Sequence, residues 1–182
     1  MLANRTRHHL ILIGYRGSGK TTVGKLLSEK LGMPWLDLDQ RIELAIGEPI
    51  KDFFASRGEE AFRDVESRVL EECSALPSHV LSLGGGAVLR EENRRVLAHS
   101  GWTVWLHCST AVLATRLQKD QTTGRPRPSL TGGDVVAEIE QVMRVREPIY
   151  RVAADWDIDV GMLGPEDLAE RIAQWYRSKF AQ

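Results

Sequence analysis

Short apolar runs and helically spaced apolar residues alternate from one end of the chain to the other, which is the pattern of a parallel sheet wrapped by helices. Leu10-Ile11-Leu12-Ile13 predicts a first strand, and Val23, Leu26, Leu27 and Leu31 set a helix over Thr21 to Leu31 that Gly32 closes. Trp35-Leu36-Asp37 is a short second strand. Gln40 to Ile46 and Ile50 to Arg57 predict two short helices separated by Gly47 and Pro49, with a longer helix from about Glu59 to Leu76, a helical insertion before the next strand. Val80 to Leu83 is that strand, ending in Gly84-Gly85-Gly86. Glu92 to His99 (helix), Thr103 to His107 (strand) and Ala111 to Lys119 (helix) continue the alternation. Asp120 to Gly133, DQTTGRPRPSLTGG, breaks the pattern: glycines, prolines and two arginines with almost no core residues predict a mobile loop, and its arginines suggest a lid over phosphate. Helix resumes over Asp134 to Arg146, Trp156 to Val160 is the last strand, and Pro165 opens an amphipathic helix through Trp175.

The turn out of the first strand carries chemistry. Gly14-Tyr15-Arg16-Gly17-Ser18-Gly19-Lys20-Thr21-Thr22 fits G-x-x-x-x-G-K-[ST] at a strand-to-helix junction, the arrangement that grips a nucleoside triphosphate. Glycines let successive N–H groups point at phosphate oxygens, the helix start adds its positive end, Lys20 offers a charge, and Thr21 a hydroxyl for Mg²⁺. ATP binding is therefore assigned to Gly17, Ser18, Gly19, Lys20, Thr21 and Thr22.

Composition narrows the partners. The 182 residues suit one domain, 1–182, and a net charge of −1 gives no global attraction to nucleic acid or an acidic membrane. Cys73 and Cys108 lie far apart without zinc spacing and read as core or half-buried thiols. The apolar run behind the basic stretch Met1 to His9 is too short for a signal peptide or membrane span, so a cytoplasmic location is expected. His8-His9 is expected to be solvated.

Asp37 and Asp39 stand at the carboxyl end of the second strand, the edge where ligands sit in an open parallel sheet. One carboxylate could hold Mg²⁺ and the other accept a hydrogen bond from a substrate hydroxyl; Asp39 could equally be a helix N-cap. Three glycines ending a buried strand cost backbone entropy and pack nothing, so Gly84, Gly85 and Gly86 make room for a ligand. Arg63 sits among Glu59, Glu60, Asp64 and Glu66 and alone reads as a surface arginine paired along its helix; Arg146 alone reads as a cation ending a helix before Pro148. Phe54 and Phe62 read as core.

Taken in order, G-Y-R-G-S-G-K-T-T, L-D-L-D, F-R-D-V-E, L-S-L-G-G-G-A, an arginine-bearing lid with R-P-S-L, and R-V-R-E-P-I-Y resemble the shikimate kinases from about Leu10 to Phe180. The resemblance implies a single-domain α/β P-loop kinase with a five-stranded parallel sheet in the order 2-3-1-4-5, a substrate-binding region about 39–66 and a lid about 119–133. It further implies transfer of the ATP γ-phosphate to the 3-hydroxyl of shikimate with Mg²⁺, by a protein commonly monomeric, in aromatic amino-acid biosynthesis. By the same resemblance Asp39 binds the shikimate hydroxyls and orients or deprotonates the attacking one, and Asp37 with Thr21 is on the Mg²⁺ side. Arg63 and Arg146 take the shikimate carboxylate, Gly85 in the triplet contacts substrate, and Arg116 packs on adenine. Arg127 matches the catalytic lid arginine through Pro128 and Leu130, with Arg125 as substitute if the register differs. A gluconate kinase of the same architecture would share Lys20 and Thr21 but has no need of two arginines converging on a carboxylate.

Overall fold

The computed structural model describes residues 8–122 and 135–180. Five parallel strands, β1 (His9–Ile13), β2 (Trp35–Asp37), β3 (Val80–Ser82), β4 (Gly101–His107) and β5 (Trp156–Asp159), form one sheet in the order β2-β3-β1-β4-β5. This is the expected order. The central strand β1 shows why the sheet is covered on both sides: Leu10 and Leu12 enter one core and Ile11 and Ile13 the other, as the two-residue repeat of a strand requires.

On the Leu10 face, α1 (Lys20–Leu31) and α7 (Pro165–Ser178) pack together, burying Val23, Leu27, Leu168, Ile172 and Tyr176. Gly24 lets α1 lie close on the sheet, since a Cβ there would stand 2.6 Å from Trp35 Nε1 of β2 and 2.7 Å from Ser82 Oγ of β3. The Ile11 face is covered by α2 (Leu38–Ile46), α3 (Ile50–Ser74), α4 (Glu91–Ser100) and α6 (Val135–Ala153), with Phe53, Phe62, Leu70, Leu97 and Tyr150 in its core. Truncating one such buried aromatic to alanine costs about 3–5 kcal/mol. A third cluster, Tyr15, Leu113, Leu117 and Ile139, joins the phosphate loop to α5 (Thr110–Thr122) and α6.

Several expectations are corrected. Helix α6 does not end at Arg146 but runs through Pro148 to Ala153. Proline forfeits one backbone bond, yet Tyr150 is fully buried, and Ile149 and Ala153 pack against the same core, so tertiary contact outweighs the local break. Helix α5 extends past the expected stop to Thr122. The break expected between two helices is present: the backbone at Gly58 is non-helical (φ 81, ψ 175), and α3 is two helical stretches joined by that kink, the second ending at Ser74 rather than Leu76. His8-His9 is not a solvated terminus: His9 is buried as the first residue of β1, its Nδ1 accepts from the His79 N–H at 3.1 Å, and its Nε2 lies 3.2 Å from the Ser74 carbonyl. Phe54 is not core but 37% exposed, packed on buried Phe62. Cys73 is buried and Cys108 half-buried, and both thiols are pushed up by burial. No described helix is long and apolar enough to cross a membrane.

Candidate active site

The carboxyl ends of β1, β2 and β3 lie side by side, and the turns leaving them bring the predicted polar residues to one edge of the sheet. The phosphate loop leaves β1 through Gly14, Gly17 and Gly19, all at left-handed φ values of 142, 79 and 94°. At Gly14 space is limiting as well, because a Cβ would meet the Leu106 carbonyl oxygen at 2.4 Å. Ser18 is buried in the loop. Lys20 Nζ donates to the carbonyls of Gly14 at 2.8 Å and Tyr15 at 2.9 Å, so the ammonium is held inside the loop it would share with phosphate. Thr21 is half-buried, whereas Thr22, also assigned to ATP from the motif, is exposed.

The two aspartates divide differently from the sequence reading of their caps. Asp37, not Asp39, is the N-cap of α2: its Oδ1 accepts from the backbone N–H groups of Asp39 at 3.1 Å and Gln40 at 3.4 Å. Its other oxygen accepts from Thr21 Oγ1 at 3.2 Å. A hydroxyl and a carboxylate meeting beside a phosphate loop are hard oxygen donors of the kind that Mg²⁺ takes, together with phosphate oxygens and water, so this pair fits such an ion. Asp39, released from capping, lies in the first turn of α2 with its carboxylate over β3's end; a Cβ on Gly84 would stand 2.5 Å from Asp39 Oδ1.

Gly84 and Gly86 are required by space rather than by unusual backbone angles, for none of the triplet has a left-handed φ. A Cβ at Gly84 would strike Asp39, and one at Gly86 would lie 2.5 Å from both terminal nitrogens of Arg63. Gly85 turns its carbonyl to α6, where it accepts from Arg146 Nη1 at 3.2 Å and from the Tyr150 hydroxyl. Burial, above all, pushes the Tyr150 phenol up to about 12, which keeps it a neutral donor. Thus Asp39, Arg63 and Arg146 converge on one short stretch of backbone, beside the loop that carries Lys20.

Arg63 is indeed paired along its helix, with Glu59 at 3.2 Å and Glu66 at 2.6 Å, but it also lies against Gly86 and is only 12% exposed. Glu66 is the residue that the sequence reading passed over as one more helix charge. Its side chain is 1% exposed, and burial raises its carboxyl above the ordinary 4.5 with Arg63 opposing and nearby Asp39 reinforcing the shift. The signal was present: Phe62, Glu66, Val69, Leu70 and Cys73 share the buried face of α3, so a carboxylate occupies a position of the apolar stripe. On the far side of the loop, Arg116 donates to the Val160 carbonyl at 2.8 Å, and its Cβ lies 3.9 Å from a Cβ built on Gly17. Arg125 and Arg127 lie outside the described residues.

With this geometry in place, comparisons with known proteins are specific. The family model described as shikimate kinase matches residues 16–177. A shikimate kinase of Rhodopirellula baltica is 45% identical over 174 residues, covering 96% of this chain and 93% of that protein. One of Methylococcus capsulatus is 39% identical, covering 94% of each. Among solved structures, the shikimate kinase from Acinetobacter baumannii in complex with shikimate superposes with a TM-score of 0.88 at 33% identity, over 98% of this chain and 97% of that one.

Proposed function

The chain belongs to the shikimate kinase family, and from that membership we propose how its own residues perform the family's reaction. It uses ATP to phosphorylate the 3-hydroxyl of shikimate, giving shikimate 3-phosphate and ADP in the pathway to the aromatic amino acids. The convergence of Asp39, Arg63 and Arg146 around Gly84, Gly85 and Gly86, beside the Lys20 loop, is the observation that carries this assignment of roles.

Arg63 and Arg146 hold the shikimate carboxylate, a planar anion that suits the guanidinium fork, and Glu66 orients Arg63 for that task. Asp39 accepts a hydrogen bond from the 3-hydroxyl and takes its proton as the oxygen attacks the γ-phosphorus. A new O–P bond forms as the bond to the β–γ bridging oxygen breaks, and ADP leaves. Lys20 exchanges its carbonyl contacts for phosphate oxygens, and the loop N–H groups of Gly17, Ser18 and Gly19 hold the remainder. Arg116 flanks the adenine, and Arg127, or Arg125 in the other register, adds charge over the transferring group from the lid. Thr21 and Asp37 would hold Mg²⁺, which would supply neutralisation of the phosphate charge. Phosphoryl transfer is chiefly positioning and charge stabilisation, which matches a site of fixed cations in which one carboxylate, Asp39, faces the attacking hydroxyl.

All these residues belong to one domain, 1–182, with a substrate region about 39–66 and a lid about 119–133. A site formed within one chain favours a monomer, and a net charge of −1 favours action without nucleic acid or membrane; we infer a cytoplasmic location, and sedimentation and fractionation would test these. The function itself is tested by ADP release with Mg²⁺ and ATP in the presence of no acceptor, shikimate or gluconate. Turnover should require shikimate, and Asp39→Asn should lower it about 10²–10⁴-fold, the range for loss of a positioned base. Equal turnover with gluconate would defeat the substrate assignment.

A further inference from the structure

We propose that Arg16 is a positioning residue for phosphoryl transfer, whose ion pair with Glu138 sets the phosphate loop in register with α6, the helix that carries Arg146. The proposal rests on the kinase reading above. Arg16 is the third residue of the loop motif, and its Nη2 donates to Oε1 of Glu138 in the first turn of α6. The Glu138 side chain is 1% exposed and that of Arg16 18%. A carboxylate at that depth is tolerated only when its charge is matched, so the pair holds its two elements in one geometry.

Three contacts make the link specific. Arg146 follows about 12 Å further along α6, at 1.5 Å per residue, and donates to the Gly85 carbonyl, as does Tyr150 one turn beyond. Gly85 in turn faces the phosphate loop: a Cβ there would lie 3.5 Å from the Gly14 carbonyl oxygen and 3.7 Å from the Arg16 nitrogen. Phosphate loop, glycine strand end and α6 thus form a closed triangle, with Arg16–Glu138 as the side that joins the ATP half directly to the helix of the carboxylate arginine. Cradling phosphate does not itself call for an arginine here, since backbone N–H groups, Lys20 and Thr21 serve that role. Pairing with a buried carboxylate also keeps the Arg16 charge directed at α6.

The test is a double-mutant cycle of Arg16→Met and Glu138→Gln, read by steady-state kinetics, ADP affinity from equilibrium dialysis, and thermal melting. Each single variant should lower kcat about tenfold or more, within the cost of roughly 1 Å of misplacement between reacting groups, while ADP affinity changes less than about threefold. The double variant should be no worse than the poorer single one, because both break the same link. Arg16→Lys, which keeps the charge but loses the fork, should fall between wild type and Arg16→Met. Effects that multiply in the double variant or a matching loss of ADP affinity would overturn the proposal; the single variants also melt lower, since each leaves a buried partner unmatched. Should the single variants fail to fold, Arg16→Met combined with Glu138→Leu replaces the buried pair by an apolar one, a change that often preserves stability. That variant should melt like wild type and turn over slowly; wild-type turnover would overturn the coupling. A wild-type protein inactive on shikimate would instead overturn the kinase reading.

Discussion

A single methyl group separates the glycines that serve the fold from those that serve the site. At Gly14 an added Cβ meets backbone, the Leu106 carbonyl, at a φ of 142°, so nothing nearby can yield. At Gly84 it meets side-chain ends, Asp39 Oδ1 at 2.5 Å and, less closely, Glu66 Oε1 at 3.5 Å. Gly14→Ala should therefore destabilise the protein by about 1–3 kcal/mol, whereas Gly84→Ala should melt close to wild type and lose about tenfold or more in kcat/KM for shikimate by moving Asp39. Melting curves and kinetics on the two variants separate these effects; a Gly84→Ala protein with unchanged kinetics would remove Asp39 from the position assigned to it. At this scale the sequence made the glycine triplet and the aspartate pair visible as anomalies of composition. It did not reveal which aspartate caps α2, because caps depend on where the helix begins, and Leu38 begins it two residues earlier than its apolar spacing suggests. Glu66 was missed because a charge among charges is legible as buried only when the helical face is drawn.

The longest described element, α3, owes its shape to one residue. Gly58 adopts φ 81 and ψ 175, a region essentially closed to other residues, and a Cβ there meets nothing within 4 Å. Gly58→Ala should cost about 1–3 kcal/mol through the backbone alone, a fall in melting temperature of about 2–4 °C per kcal/mol for a domain of this size. Since Arg63 follows the kink, shikimate KM should rise as well, with ATP KM nearly unchanged; an unaltered melting temperature would mean that α3 does not need its bend. The kink was legible as a break between two predicted helices. The continuation of α6 through Pro148 was not, because the contacts that override the proline come from Gly85 and the β1 face, far away in sequence.

Across the whole molecule the two ends of the sheet divide their work. The candidate site residues gather at the carboxyl ends of the strands, as the order β2-β3-β1-β4-β5 and the position of β1 foretell. At the opposite end His9 is buried beside His8 and His79, and burial first, then the two neighbouring histidines, hold its pKa below the ordinary 6.5, against the hydrogen bonds to Ser74 and His79. The native protein therefore binds a proton at His9 less readily than the unfolded chain does. The stability so contributed is complete above about pH 6.5 and is lost as pH falls below it through the lowered native value. The melting temperature should drop between pH 7.5 and 5.5, and His9→Asn, whose amide can still accept from His79, should flatten that slope; an equal slope in the variant would exclude His9 as its source. The parallel α/β class was readable from alternation alone, whereas this histidine cluster was not, since it forms only when β1 pairs with β3 and the end of α3 closes over them.

The account as a whole stands on where the phosphate goes. ³¹P NMR of a reaction containing ATP, Mg²⁺, shikimate and the wild-type protein follows the γ-phosphate directly. The geometry around Asp39 predicts a new phosphomonoester resonance coupled to the proton on C3 of shikimate, growing as ADP appears. Release of the γ-phosphate as inorganic phosphate, or its arrival on another hydroxyl, would contradict the assignment of Asp39, Arg63 and Arg146 as the groups that present the 3-hydroxyl to ATP.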